Sequence, residues 1–271
     1  MTLEHGIHYI GVNDYDIRLF EGQYHVPNGM AYNSYIIADE KTAVMDSVDK
    51  HFSAEWLANI KKLLGDKKPD YIVVQHMEPD HSGSMQQFIQ TYPQTKLVGN
   101  TKTFTMLKNY FGSDYSENQL MVKNGDTLPL GSRTLTFVFA PMVHWPEVMM
   151  TYDSASKILF SADAFGTFGP RETTTSWIDE ARRYYFGIVA PYGKQVQALF
   201  KKLTEYDIQA LYPLHGPVLE SDISPYIAAY KTWSTYEAEE DGVTLVYSSV
   251  YGHTEKAINT LAQIVKDKGR S

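Results

Sequence analysis

The stretch "VVQHMEPDHSG", residues 73 to 83, places His76, Glu78, Asp80 and His81 within six positions. All four are side chains that bind metal ions, through imidazole nitrogen or carboxylate oxygen. They follow the apolar run "DYIVVQ", which reads as a short strand buried on both faces, and they precede a Ser-Gly turn. In an extended chain alternate side chains share a face, so His76, Glu78 and Asp80 would project together, with His81 beside them. A bend at Pro79 would fan the four toward two metals rather than one. An isolated His-x-Glu is usually a solvated polar turn; four such residues directly after a buried strand favour metal binding.

Three later residues share this setting. His144 follows "TFVFAPMV", Asp163 follows "KILFSA" and His215 follows "ALYPL". Each lies just beyond a strand-like run, where binding residues gather in α/β architectures. Any one alone reads as a hydrogen-bonded structural residue. Together with the first cluster they make four imidazoles and three carboxylates. That is too many for one tetrahedral zinc, and it suits a dinuclear site with a bridging carboxylate.

The elements that must position these residues are legible from periodicity. Short apolar runs and turns such as "VPNG" fill the first forty residues, followed by the strand "KTAVMDSV". "HFSAEWLANIKKLLG" has helical spacing and a glycine stop. "SMQQFIQTYP", "KTFTMLKNYFG", "IVAPYGKQVQALFKKLTEYD" and "SPYIAAYKTWSTYE" also read as helices. "QLMVKNGDTLPLGSRTLTFVFAP" is a run of strands with a hairpin at "LGSR", and "VMMTYDSASKILFSADAFG" is a hairpin whose second strand runs to Asp163. The order implies two mixed sheets face to face with helices outside, an α/β sandwich. No internal repeat is present.

Composition narrows the function classes. The chain has 271 residues, 43% of them hydrophobic, enough for a full core. Twenty-four basic against 32 acidic residues give a formal charge of -8, which argues against a nucleic-acid partner. With no cysteine, disulfides, thiolate metal sites, iron–sulfur clusters and a cysteine nucleophile are excluded. The first residues carry no signal-peptide core, and no stretch reaches the roughly 18 apolar residues of a membrane span, so no membrane association and a cytoplasmic location are expected.

The order HxExDH…H…D…H resembles the metallo-β-lactamase superfamily in the form found in flavodiiron proteins, or A-type flavoproteins, over essentially the whole chain. The implied fold is a metallo-β-lactamase-like αββα sandwich. Hydrolytic members read HxHxDH, and here Glu78 stands at the third position. A carboxylate there adds negative charge and hard oxygen ligation, favouring iron over zinc. The resemblance implies two iron ions, one held by His76, Glu78 and His144, the other by Asp80, His81 and His215, with Asp163 bridging. It also implies His25 and Tyr192 near the open face, where they would hydrogen-bond a bound diatomic or deliver a proton. The bland readings are a turn cap for His25 and one tyrosine among twenty for Tyr192. Trp145 and Glu147 would shape the pocket wall, with core packing the stronger reading for Trp145. His5, His8 and His51 have no motif context and read as surface or structural.

Composition shifts at "EAEEDGV", and we expect a domain boundary there: residues 1–240 form the diiron domain and 241–271 a single βα unit. One strand and one helix cannot bury a core of their own. "YSSVYGHTEKAI" resembles the phosphate loop of a flavodoxin, so by resemblance Ser248, Ser249, Tyr251, Gly252, His253 and Thr254 would contact the phosphate of FMN. The unit is thus expected to be the truncated start of a flavodoxin-like domain, with FMN bound in the complete protein and poorly by this chain. The implied activity is reduction of nitric oxide to N2O, of dioxygen to water, or both, with electrons from a donor such as rubredoxin and a head-to-tail homodimer. A dinuclear zinc hydrolase is the alternative, with Glu78 against it; a remnant whose metal site is merely structural is a third reading.

Overall fold

Apolar alternation becomes two packed sheets in the computed structural model, which describes residues 6–113, 115–172 and 176–270. The chain divides into two compact units, Met1–Thr235 and Tyr236–Ser271. The first unit opens with six short strands: β1 (Ile7–Tyr9), β2 (Val12–Asp14), β3 (Leu19–Phe20), β4 (Tyr24–His25), β5 (Met30–Tyr32) and β6 (Tyr35–Ala38). Strand β7 (Thr42–Met45), helix α1 (Ser53–Leu64), β8 (Tyr71–Val73), α2 (Pro79–Ser82), α3 (Met85–Thr91), β9 (Lys96–Gly99), α4 (Thr101–Phe111) and β10 (Gln119–Met121) follow. The second half runs β11 (Thr127–Pro129), β12 (Thr134–Phe139), β13 (Met149–Asp153), β14 (Ile158–Phe160), α5 (Trp177–Tyr184), α6 (Gly193–Leu203), β15 (Ala210–Tyr212) and α7 (Ser224–Thr235).

One sheet has the order β1-β6-β7-β8-β9-β10 and the other β11-β12-β13-β14-β15. The first is antiparallel across β1, β6 and β7 and parallel from β7 to β10. The second is antiparallel apart from the β14–β15 pair. Alternation along the strands sorts their side chains into two cores. Tyr35 and Ile37 of β6 face the second sheet, joining Val73, Phe137, Phe160 and Tyr212. Tyr35 meets the rings of Phe160 at 5.5 Å and Tyr212 at 5.2 Å, bridging the sheets. Ile36, Val44, Ile72 and Leu97 point the other way, among Trp56, Phe88 and Leu107 of the helices. Val138, Met150, Leu159 and Leu211 do the same for the second sheet, among Val196, Leu199 and Trp233. This is the expected αββα sandwich.

Three local expectations need correction. The ladder of β8 ends at Val73, and although the chain does bend at Pro79, it does so by entering the helical turn α2, so Asp80 is not on an extended strand with His76 and Glu78. Proline suits the first helical position, where its missing N–H has no partner to lose. The helix read from residue 188 starts at Gly193. Before it lie a π-helical turn at Tyr185–Val189 and a 3-10 turn at Ala190–Tyr192 that contains Pro191, which cannot donate within a helix. The strand of β14 closes at Phe160, three residues before Asp163.

In the second unit, residues 244–249 adopt no regular structure and form no ladder, so the expected strand of the βα unit is not made. A strand exists only against a neighbour, and none among the described residues pairs with it. Helix α8 (His253–Asp267) does form, with Gly252 at φ 80° as its N-cap. No helix among the described residues is long and apolar enough to cross a membrane.

Candidate metal centre

The seven ligand-type residues arrive on loops at the ends of strands. His76 and Glu78 follow β8, and Glu78 is still extended, with φ -58° and ψ 142°. Asp80 and His81 sit on α2, where the helical turn lets adjacent side chains serve one group. His144 follows β12, Asp163 follows β14 and His215 follows β15. His76, His81 and His215 are fully buried; Asp163, Asp80 and His144 are nearly so.

They converge as two groups: His76, Glu78, His144 and Asp163, and Asp80, His81 and His215. Glu78 Oε2 lies 3.1 Å from Nε2 of both His76 and His144. Asp163 Oδ2 lies 3.0 Å from His144 Nε2 and 3.3 Å from His76 Nε2. In the second group the Nε2 atoms of His81 and His215 are 3.0 Å apart, and Asp80 Oδ2 is 3.4 and 3.3 Å from them. The other oxygen of Asp163, Oδ1, is 3.3 Å from His81 Nε2 and 3.9 Å from His215 Nε2. Ligand atoms about 2.1 Å from a shared metal stand about 3.0 Å apart at octahedral angles and about 3.4 Å at tetrahedral ones. All but the 3.9 Å separation of Asp163 Oδ1 from His215 Nε2 fall in this range, and Asp163 turns one oxygen to each group.

The tautomers agree. Carbonyl and carboxylate oxygens only accept, so His215 Nδ1 donates to Ala31 O at 2.7 Å and His76 Nδ1 to Glu147 Oε1 at 2.9 Å. Both Nε2 lone pairs then face the groups. The Asp163 loop is held in a costly backbone, with Ala162 at φ 50° and Phe165 at φ 67°. Ser161 Oγ donates to Ala164 O, Leu214 N to Ala162 O, and Phe165 N to the Tyr230 hydroxyl.

Within the cluster, opposite charges work against burial. Burial opposes the imidazolium of His76, yet Asp163, Glu147 and Glu78 raise its pKa well above the ordinary value. The same contest pushes His144 up to about 9, with Asp163 and Glu78 outweighing burial. Burial favours the neutral acids at Glu78 and Asp163, but the imidazoles hold both below the usual carboxylate range. Protons thus occupy the place of positive charge, and metal ions would displace them.

Several neighbours were not singled out from sequence. Asp46 is fully buried, and burial lifts its pKa to about 6. Its Oδ1 accepts from Gln75 N at 2.7 Å and His76 N at 3.2 Å. It follows the apolar run of β7, the same signal that marked Asp163. Tyr184 is buried with its ring 5.5 Å from His215, beside Phe20 at 5.3 Å. Burial and then the charges of Asp163, Glu78 and Asp80 raise its pKa well above the ordinary value. Nothing in "ARRYYFG" separates it from nineteen other tyrosines.

His25 sits on the β3–β4 hairpin whose Phe20 touches His215, but its side chain is exposed and its carbonyl accepts from Arg183. Tyr192 ends a 3-10 turn, half-buried, with no hydrogen bond or ring contact to the seven among the described residues. Trp145 packs edge-on against His76 at 5.3 Å, so it walls the group. His51 is exposed and pairs with Asp49, His8 lies on β1, and His5 falls outside the described residues. In the second unit Ser248, Ser249, Tyr251 and Gly252 precede α8, while His253 and Thr254 begin it; Ser249 Oγ is buried without a hydrogen-bond partner.

Comparison with known proteins agrees with this geometry. Residues 30–216 match the model of the ODP family beta lactamase. A nitric oxide reductase of Moorella thermoacetica is 32% identical over 96% of this chain and 67% of its own length. The flavodiiron protein of Giardia intestinalis superposes with a TM-score of 0.92 at 30% identity, covering 98% of this chain and 66% of that one. The rubredoxin oxygen:oxidoreductase of Desulfovibrio gigas gives 0.89 at 29% identity, covering all of this chain and 70% of that one. The chain thus spans about two thirds of the length of these relatives. By sequence and by fold, the chain belongs to the ODP family of metallo-β-lactamase-like proteins, among the flavodiiron proteins.

Proposed function

We propose that the seven residues hold two iron ions and that the chain reduces nitric oxide to N2O, dioxygen to water, or both. The observation that carries this reading is Asp163, which presents one carboxylate oxygen to each of two ligand groups. His76, Glu78 and His144 would hold one ion and Asp80, His81 and His215 the other. Glu78 supports iron over zinc, since it supplies a hard, charged oxygen where hydrolytic relatives use a histidine. The names of the relatives, nitric oxide reductase and rubredoxin oxygen:oxidoreductase, support the reaction class. When bound, two ferrous ions supply electrons and open coordination positions for a diatomic substrate.

The chain's own residues prepare the rest. Glu147 and Ala31 O fix the tautomers of His76 and His215. Phe20, Tyr32 and Tyr184 surround His215 and exclude water on that side. Tyr184, kept protonated by burial and by the nearby carboxylates, holds a proton at Oη beside the centre. Reduction of dioxygen to water takes four electrons, and two irons supply two, so a further carrier is required. The loop Ser248–Thr254 fits the phosphate of FMN: it ends at the N-terminus of α8, and the Ser249 hydroxyl is buried without a partner. A rubredoxin-type donor and a head-to-tail homodimer belong to the same proposal.

The test is metal analysis of protein produced with iron, followed by anaerobic reduction and exposure to NO or O2. Close to two irons per chain with consumption of either gas is expected. Two zinc ions that iron cannot displace, or loaded iron that consumes neither gas, would overturn it.

A further inference from the structure

We infer that Glu147 is a positioning residue that strengthens His76 as a donor, so that the metal position of His76, Glu78 and His144 is the tighter of the two and fills first. The inference rests on the proposed dinuclear centre. Glu147 is 1% exposed, and its Oε1 accepts from His76 Nδ1 at 2.9 Å and from Met77 N at 2.8 Å. Its main chain is pinned as well, because Asn100 Nδ2 donates to Glu147 O at 2.6 Å and Asn100 caps α4. Asp46 holds the backbone N–H of His76 from the other side, and the Trp145 ring covers the imidazole edge.

A carboxylate on Nδ1–H pushes electron density toward Nε2 and makes it a better ligand. The other histidines lack this. His215 Nδ1 donates to a neutral carbonyl, Ala31 O, and His81 Nδ1 has no protein hydrogen-bond partner. Among the described residues, His76 is the one histidine of the four whose Nδ1 meets a carboxylate. The second oxygen of Glu147 is buried without a partner, so the charge is not placed there for its hydrogen bonds alone. A buried carboxylate that shares His76 with Glu78 and Asp163 is costly unless a cation lies among them.

A purely structural role would be to tie Met77 N and close the loop. Glu147→Gln separates the two, since it keeps an acceptor for Met77 N and His76 Nδ1 and removes the charge. Metal-free protein is titrated anaerobically with Fe2+ against a competing chelator. The mixed-valence signal is followed by electron paramagnetic resonance during a redox titration. Wild type is expected to bind in two unequal steps. Glu147→Gln is expected to weaken the first step about 10- to 100-fold, leave the second unchanged, and raise the potential of the centre. Two equal steps in wild type, or a Gln variant with both steps and the potential unchanged, overturn the inference. If the Gln variant does not fold, the wild-type titration decides: two unequal steps support the role, and two equal steps overturn it. A wild-type chain that binds fewer than two ions overturns the dinuclear reading itself, and failure to consume NO or O2 with two unequal sites intact overturns only the activity.

Discussion

Removing metal should reverse the pH dependence of stability, and the structure sets the size of the effect. In the metal-free protein His144 moves from an ordinary 6.5 to about 9. Its side chain is 9% exposed, so solvent screening takes little from the interaction. A folded pKa above the unfolded one means that the stabilisation is fully present below pH 6.5 and is lost as pH rises through 9. A gap of about 2.5 pH units at about 1.36 kcal/mol per unit is about 3 kcal/mol. His76 and His81 are raised too and act in the same direction. The window is clear of other large contributions. Asp46, lifted to about 6, changes its contribution between pH 3.8 and 6. Glu78 and Asp163 are depressed, so theirs is complete well below pH 6. The buried tyrosines matter only as the unfolded chain ionises near pH 10.

Urea unfolding of chelator-treated protein between pH 6.5 and 9 should therefore show stability falling by about 3 kcal/mol or more. The metal-loaded protein should do the opposite. Metal binds the deprotonated imidazoles, so its contribution grows as protons cease to compete. The chelated and loaded curves should diverge with pH. A metal-free protein whose stability is flat or rising from pH 6.5 to 9 would refute the reasoning, because the imidazoles would then carry no protons for metal to displace.

Three substitutions probe the rest. Asp163→Ala removes the carboxylate that faces both groups, and metal analysis should show both positions depleted rather than one. Gly216→Ala should destabilise by about 1–3 kcal/mol in chemical denaturation, because Gly216 has φ 75° and a Cβ would collide with the Thr167 hydroxyl; a variant as stable as the parent would show that the turn after His215 is not constrained. Tyr184→Phe should leave the iron content unchanged and slow NO or O2 turnover by about a hundredfold, and an unchanged rate would remove the tyrosine from proton supply.

How much of this was legible depends on what each residue answers to. The sandwich could be read because strand alternation and helix spacing report burial directly: Tyr35 and Ile37 face one core while Ile36 faces the other. The convergence of His76, His144, Asp163 and His215 could be read because each follows an apolar run, and the fold brings the residues after those runs together. Asp46 carries the same signal but lies outside the motif. Tyr184 carried none, since its position depends on a helix that passes into a π turn at Tyr185, and that register is set by packing rather than by periodicity. The strand expected in the βα unit does not form, for the converse reason. Its apolar residues have the right propensity, but a ladder is a property of two strands, and Val246 is left 90% exposed.

On the proposed reading, charge gives a reason for Glu78 beyond ligand hardness. Five carboxylates cluster here: Asp46, Glu78, Asp80, Glu147 and Asp163, each buried or largely so. With neutral imidazoles and all five ionised, two divalent ions leave one negative charge uncompensated, and two trivalent ions leave one positive charge. The imbalance is the same size on either side of the redox change. A histidine at position 78 would remove one carboxylate, so the divalent pair would be neutral and the trivalent pair would carry two positive charges. In a buried site the cost of uncompensated charge rises steeply with its amount. A histidine therefore suits a centre that stays divalent, as in a zinc hydrolase. A glutamate suits one that must pass between divalent and trivalent states within the same walls.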